Sequence, residues 1–353
     1  MRDEILKALE QVIDPELQRP VTELDMVRDV EISDGIVSLT IVLTVAGCPL
    51  RQSFEQQVEQ ALSGIDGVRG VALSFGVMTP EERQALTTKL RGGVERDSVI
   101  KLSRGTRVIA VASGKGGVGK SSLSANLAVA FSELGRRTGI LDADIYGHSI
   151  PHILGIHQKP VAVDQMIVPP VKDGLKLMSI GFFLDDNEPV MWRGPMLHRA
   201  LEQFLTDVHW GELDVLVVDM PPGTGDVSIS LGQLLPRAEV VVVTTPQKLA
   251  QEVASRAASM ARKTNMRLLG VVENMSGDVF GSGGGEDLAD SLGIPLLGTV
   301  PLDPALREHG DDGRPIVAVD PDAESAQAIV AIAETIDARR ESGAIVKSLP
   351  LVG

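Results

Sequence analysis

The chain has 353 residues, 43% of them hydrophobic, and a formal net charge of −15, which is enough apolar material for two domains with full cores. That acidity argues against nucleic acid or an anionic membrane surface as the main partner. A single cysteine, Cys48, excludes an intrachain disulfide, and the six histidines are scattered with no metal-ligand spacing.

The first residues, MRDEILKALE, read as a charged helix over 4–13 and not as a signal peptide. No run of ~18 uncharged apolar residues follows, so the expected setting is the cytoplasm, with no membrane partner. Next come a turn at Asp14-Pro15-Glu16, whose carboxylates are candidate functional groups, and strands at 27–32 and 36–44 across the Asp34-Gly35 turn. A helix at 50–62 and a strand at 70–75 complete a small α+β domain over 1–80. Cys48 lies between strand and helix, where a helix dipole favours a thiolate able to ligate or attack; the same position also suits a small buried hydrophobe. Residues 81–104 are polar, contain Gly92-Gly93 and read as a linker.

From 105 to 353 the rhythm changes. Apolar strands at 107–112, 138–142, 175–180, 214–219, 239–244, 267–273 and 296–300 alternate with helices that include 121–134, 196–208, 247–264 and 322–338. This alternation predicts a doubly wound, mostly parallel α/β sheet with ligands at the carboxyl ends of its strands.

The candidate chemistry falls at those ends. Gly114, Lys115, Gly116, Gly117, Val118, Gly119, Lys120 and Ser121, followed by Ser122, fit G-x-x-x-x-G-K-[ST] between a strand and a helix. Such a loop turns its backbone N–H groups onto phosphate oxygens, with Lys120 on the β and γ phosphates and Ser121 on Mg²⁺. Lys115 is a second cation that the cradle itself does not need. Its functional reading is a charge aimed at the nucleotide of a facing subunit, which requires a dimer.

Asp142 and Asp144 end the second of these strands, one suited to the Mg²⁺ shell and the other to orienting an attacking water. Asp219 ends the apolar run VLVVD, also as a Mg²⁺ candidate, and leads into Met220-Pro221-Pro222-Gly223-Thr224-Gly225-Asp226, a stiff turn suited to sensing a γ phosphate. Asn274 can offer its amide to an adenine edge or simply form a turn. Gly281-Ser282-Gly283-Gly284-Gly285 reads as a flexible loop before a short helix, with a second phosphate site as a further candidate.

Together these blocks resemble the deviant phosphate-loop ATPases, and above all the Mrp-type (ApbC-like) iron-sulfur cluster carriers. The resemblance rests on GKGGVGKSS at 114–122, LDADIYGHSIP at 141–151, MWRGPM at 191–196, VDMPPGTGD at 218–226, VENMS at 272–276 and LGTVPLDPALREHGDDGRPI at 297–316. DPEL at 14–17 and TVAGCPL at 44–50 resemble the iron-sulfur assembly domain that precedes the ATPase in many of these proteins. The resemblance implies a homodimeric ATPase that cleaves a phosphoric anhydride and carries clusters from a scaffold to apoproteins. It implies Lys115 as signature lysine, Lys120, Ser121 and Asp219 around phosphate and Mg²⁺, Asp144 as the water-orienting residue and Asn274 at adenine.

One departure stands out, because carriers of this family usually place a Cys-x-x-Cys after the VENMS block, whereas here Asn274 to Gly281 contains no cysteine. A homodimer then has only two copies of Cys48, too few for an all-cysteine [4Fe–4S] site. A positioning or partitioning switch without cluster, and a non-catalytic adaptor that binds ATP, are the competing functional classes.

Overall fold

The computed structural model describes residues 2–15, 17, 19–44, 51–90, 102–103, 105–145, 147–164, 166–183 and 194–343. Glu16, Cys48 and residues 191–193 lie outside these described residues. The chain divides into two compact units, one of Met1–Val99 with Pro160–Val171 and Asp207–Gly211, the other of Ile100–Lys159, Lys172–Thr206 and Glu212–Gly353.

In the first unit, helices α1 (Arg2–Leu9), α2 (Arg51–Leu62) and α3 (Pro80–Leu90) accompany a sheet of β1 (Val27–Ser33), β2 (Ile36–Leu43) and β3 (Gly70–Val77). β2 pairs antiparallel with β1 and parallel with β3. Its inward side chains Val37, Leu39 and Ile41 pack in one core with Ile5 and Leu9 of α1 and Phe54, Val58 and Leu62 of α2. The Asp14 turn is fixed from within: Leu17 N–H donates to Asp14 Oδ1 at 2.8 Å, and Asp14 is 5% exposed. The Gln57 amide of α2 both accepts from Ile13 N–H at 2.9 Å and donates to Ile13 O at 3.1 Å.

Two features depart from the expected boundaries. Part of the expected linker is α3, whose Leu86 is buried and whose Thr87 hydroxyl donates to Val163 O at 3.2 Å. The hairpin of β6 (Val161–Val163) and β7 (Met166–Val168), which comes from the stretch assigned to the second domain, adds Val163, Met166 and Val168 to the first unit's core. α3 has almost no apolar stripe, and the hairpin strands are three residues long, so neither leaves a periodic signal.

The second unit is built on one sheet. Its strands are β4 (Arg107–Ser113), β5 (Thr138–Asp142), β8 (Val171–Lys172), β9 (Leu175–Ser179), β10 (Val215–Asp219), β11 (Glu239–Thr244), β12 (Arg267–Ser276) and β13 (Leu296–Pro301). Their order is β13-β12-β11-β4-β10-β5-β9-β8, and every pairing from β13 to β9 is parallel. The apolar runs of β10 and β5 are buried at every position, as a parallel sheet covered on both faces requires. Helices α4 (Lys120–Glu133), α5 (Ile150–Ile153), α6 (Gly194–Thr206), α7 (Asp226–Leu234), α8 (Lys248–Lys263), α9 (Gly284–Leu292), α10 (Pro304–Asp311), α11 (Ile316–Val319) and α12 (Glu324–Gly343) cover it. The expected strands and long helices are present, and α7 is an addition after the glycine-proline turn. Among the described residues no helix is long and apolar enough to cross a membrane.

Register decides where the chemistry sits. Asp219 of β10 pairs with Asp142 of β5 on one side and Val111 of β4 on the other, so β5 and β10 end level while β4 runs two residues further, to Ser113. β4 continues to β5 past the intervening β10, while β10 continues to β11 on the far side of β4. The chain thus departs in opposite directions around β4, which opens a crevice at its end.

Lys176 on β9 is 7% exposed, and burial pulls its ammonium down to about 8. Below that pH the folded and unfolded chains both carry the proton and the penalty is constant. As pH rises from about 8 toward 10.5 the folded chain releases its proton first, so stability rises across that window. Lys176→Met is expected to flatten that rise, measured by denaturant titration at several pH values.

Candidate functional site

The stretch after β4 becomes a cradle because glycine alone suits three of its positions, 114, 117 and 119. Gly117 and Gly119 both have φ 78, and Gly119 is the residue from which α4 starts. A Cβ on Gly114 would lie 2.1 Å from the backbone carbon of Val253, so α8 packs directly on the loop entrance. A Cβ on Gly119 would lie 2.2 Å from Asn274 Nδ2, whereas at Gly116 and Gly117 a Cβ would meet nothing within 4 Å. The loop is therefore clamped on its outer side and open on its inner side. The open side borders a cavity of about 720 Å³ lined by Lys115, Gly116, Gly117, Gly119, Lys120, Ser121, Ser122, Asp144 and Asn274. Gly114 and Val118 are buried behind that lining.

Beneath the cavity, three donors meet one carboxylate. Asp219 is fully buried; its Oδ2 lies 2.7 Å from both Lys120 Nζ and Ser121 Oγ, and its Oδ1 lies 2.6 Å from Ser124 Oγ. Lys120 Nζ is also 3.7 Å from Asp144 Oδ2 and donates to Ser121 Oγ at 3.2 Å. Asp144 reaches the cavity from β5's end, and its Oδ1 accepts from Gly147 N–H at 3.2 Å.

Asp142 is placed differently from its expected seat in a metal shell. It is fully buried and its carboxylate accepts from Ser179 Oγ at 3.0 Å, Asp144 N–H at 3.2 Å and Ile150 N–H at 3.4 Å. Burial first, and the neighbouring Asp219 charge second, push its carboxyl well above the ordinary range against the pull of Ser179, Lys120 and the Asp144 N–H. It fastens the segment that carries Asp144, and Ser121 and Asp144 are among the residues that line the cavity.

The turn after Asp219 is tied to the loop as well, since Gly223, at φ 85, donates its N–H to Ser113 O at 2.8 Å. Lys115 is half-buried at the cavity edge and makes no ion pair among the described residues. Asn274 is 3% exposed and donates from Nδ2 to Val118 O at 2.8 Å, so its amide nitrogen grips the loop, and an adenine contact would have to use the rest of the amide.

Two features went unread in the sequence. Glu273, 1% exposed, accepts the N–H of Gly283 at 3.2 Å and that of Gly285, so the donors proposed for a second phosphate site already hold a carboxylate. The far wall of the cavity is Pro301, Leu302 and Asp303 after β13 with Leu306 and Arg307 of α10. A lone glutamate ending the apolar run of β12 was the one signal available for the first; the second had none.

The family model described as NUBPL iron-transfer P-loop NTPase matches residues 104–337, and that of the iron-sulfur cluster assembly proteins matches residues 2–73. An iron-sulfur cluster carrier protein of Mycobacterium leprae is 48% identical over 359 residues, covering 96% of this chain and 94% of the relative. Among solved structures, a nucleotide-binding protein of Archaeoglobus fulgidus in complex with ADP is 35% identical with a TM-score of 0.52, covering 67% of this chain and 92% of its own. The septum site-determining protein MinD of Pyrococcus horikoshii, complexed with Mg-ADP, is 24% identical with a TM-score of 0.55 over 68% of this chain and 100% of its own, a likeness of fold.

Gly114→Ala is expected to lose about 1–3 kcal/mol of stability in denaturant titration, because its Cβ meets backbone that cannot retreat. Gly116→Ala, with open space around its Cβ, is expected to stay within about 1 kcal/mol of the parent in the same titration.

Proposed function

Since the chain belongs to the iron-sulfur cluster carrier proteins, P-loop NTPases that here follow an iron-sulfur assembly domain, we propose that it binds and hydrolyses ATP and helps deliver clusters to apoproteins as a homodimeric nucleotide switch. The observation that carries the nucleotide half is the meeting of Lys120, Ser121 and Asp219 under an open glycine cradle.

The donor set fits Mg²⁺, a hard cation that takes oxygen ligands: Ser121 Oγ would hold it directly, and Asp219 from behind. When bound, Mg²⁺ neutralises charge on the β and γ phosphates. The loop N–H groups from Lys115 to Ser122 hold the phosphates, and Lys120 moves its ammonium from Asp219 toward them. Asp144, lining the cavity, orients the water that attacks the γ phosphorus as the bond to the β-phosphate oxygen breaks, leaving ADP and phosphate. Lys115, at the cavity edge, is placed to stabilise that charge in the facing subunit.

The cluster is cargo. This chain supplies one thiol, Cys48, so in a homodimer the remaining ligands come from the scaffold, the client or a small thiol. Cys48 then serves as a transient ligand or docking thiol.

Asp144→Ala is expected to lower turnover by about 100-fold or more while nucleotide affinity stays within a few-fold. Steady-state phosphate release and fluorescent-nucleotide titration measure the two, and equal turnover in both proteins would remove Asp144 from its role. For the cargo, anaerobic mixing with a cluster-loaded scaffold and an apoprotein client is expected to give transfer that Cys48→Ser abolishes. If the wild-type protein neither acquires nor passes on a cluster, the carrier function fails while the ATPase stands.

A further inference from the structure

The end of β12 grips two neighbouring parts of the chain. Side chains alternate across a strand, so Glu273 and Asn274 leave it on opposite faces. Asn274 Nδ2 donates to Val118 O of the phosphate loop, and Glu273 receives the N–H groups of Gly283 and Gly285 at the start of α9. Neither contact has slack, since a Cβ would fall 2.2 Å from Asn274 Nδ2 at Gly119 and 2.5 Å from Glu273 Cβ at Gly285. Met275 follows with φ 58, a left-handed backbone in a residue other than glycine, and it lines the cavity. Beyond it Gly277 and Gly281 exchange backbone hydrogen bonds at 2.9 and 2.7 Å, closing a hairpin whose Val279 is 73% and Phe280 39% exposed.

The peptide group joining Val118 and Gly119 is the physical link. Its carbonyl is held by Asn274, and its N–H belongs to the set a phosphate would engage. A peptide is planar, so turning the N–H toward a phosphate turns the carbonyl with it. Asn274 then either follows or loses its bond, and Asn274 is continuous with Glu273 on one side and Met275 on the other.

We propose that Asn274 is a positioning residue that, with Glu273, couples nucleotide at the phosphate loop to the 276–285 segment, so that binding changes the protection of the hairpin and its apolar tip. The coupling rests on the ATP function proposed above. By reciprocity, whatever engages the hairpin changes nucleotide affinity by the same factor.

Hydrogen exchange on the full chain, with and without saturating Mg-ADP or a non-hydrolysable Mg-ATP analogue, tests it. In the wild-type protein nucleotide is expected to change exchange over 276–285 by at least about threefold. Asn274→Asp keeps the shape but lacks the N–H donors; compared at nucleotide concentrations that saturate each protein, it is expected to lose that difference. Glu273→Gln leaves the phosphate loop intact and is expected to bind nucleotide like the parent, keep the change over 276–282 and lose it over 283–285. A nucleotide-induced change of wild-type size in either variant, at the positions named for it, overturns the coupling. Nucleotide that binds the wild-type protein without altering exchange over 276–285 also overturns the coupling and leaves the ATP function standing; no binding at all removes both.

Discussion

The carboxylate of Asp219 is fully buried at the end of β10, and Lys120, Ser121 and Ser124 all converge on it. Three donors from the first turn and a half of α4 thereby fix that helix's start against the strand behind it. The loop that precedes α4 is fixed by the same act. A buried lysine-carboxylate pair contributes little to stability once desolvation is counted, and its value here is positional. It holds Lys120 and Ser121 at the floor of the cavity before any phosphate arrives.

The arrangement depends on charge balance across two strands. Asp142 and Asp219 are register partners, both fully buried, with the single ammonium of Lys120 between their surroundings. Lys120 lies within bonding distance of Asp219, and the cost falls on Asp142, whose carboxyl is pushed up by burial and by its neighbour's charge. Two carboxylates that look equivalent at strand ends are thus divided, one toward the cation and the loop hydroxyls, the other toward the backbone that carries Asp144.

The sequence carried the loop, the sheet and the strand-end carboxylates because each is local: a glycine spacing, an apolar run, a terminal aspartate. It did not carry what depends on distance. The bond from Asn274 to Val118 spans 156 residues and has no periodic signature, so a turn or an adenine contact were the natural expectations. Glu273 capping the glycine loop escaped for the same reason, and the loop looked like an anion site because glycine N–H groups are read without knowing what already occupies them. The helix Pro80–Leu90 and the hairpin Val161–Val168 were hidden by short or weakly amphipathic elements. Their membership of the first unit is written only in the shared core around Leu86 and Val163.

After the β12 block this chain has a hairpin closed by glycines, with Val279 and Phe280 exposed. A thiolate pair holds a cluster by bonds; an apolar tip holds a partner surface by desolvation, which is weaker per contact and reversible. On the cargo role proposed above, Cys48 is this chain's one thiol, and the other ligands of a cluster would come from whichever protein supplies or receives it. The segment that carries this tip starts at the same strand end that grips the phosphate loop, so the two are tied to one short stretch of β12.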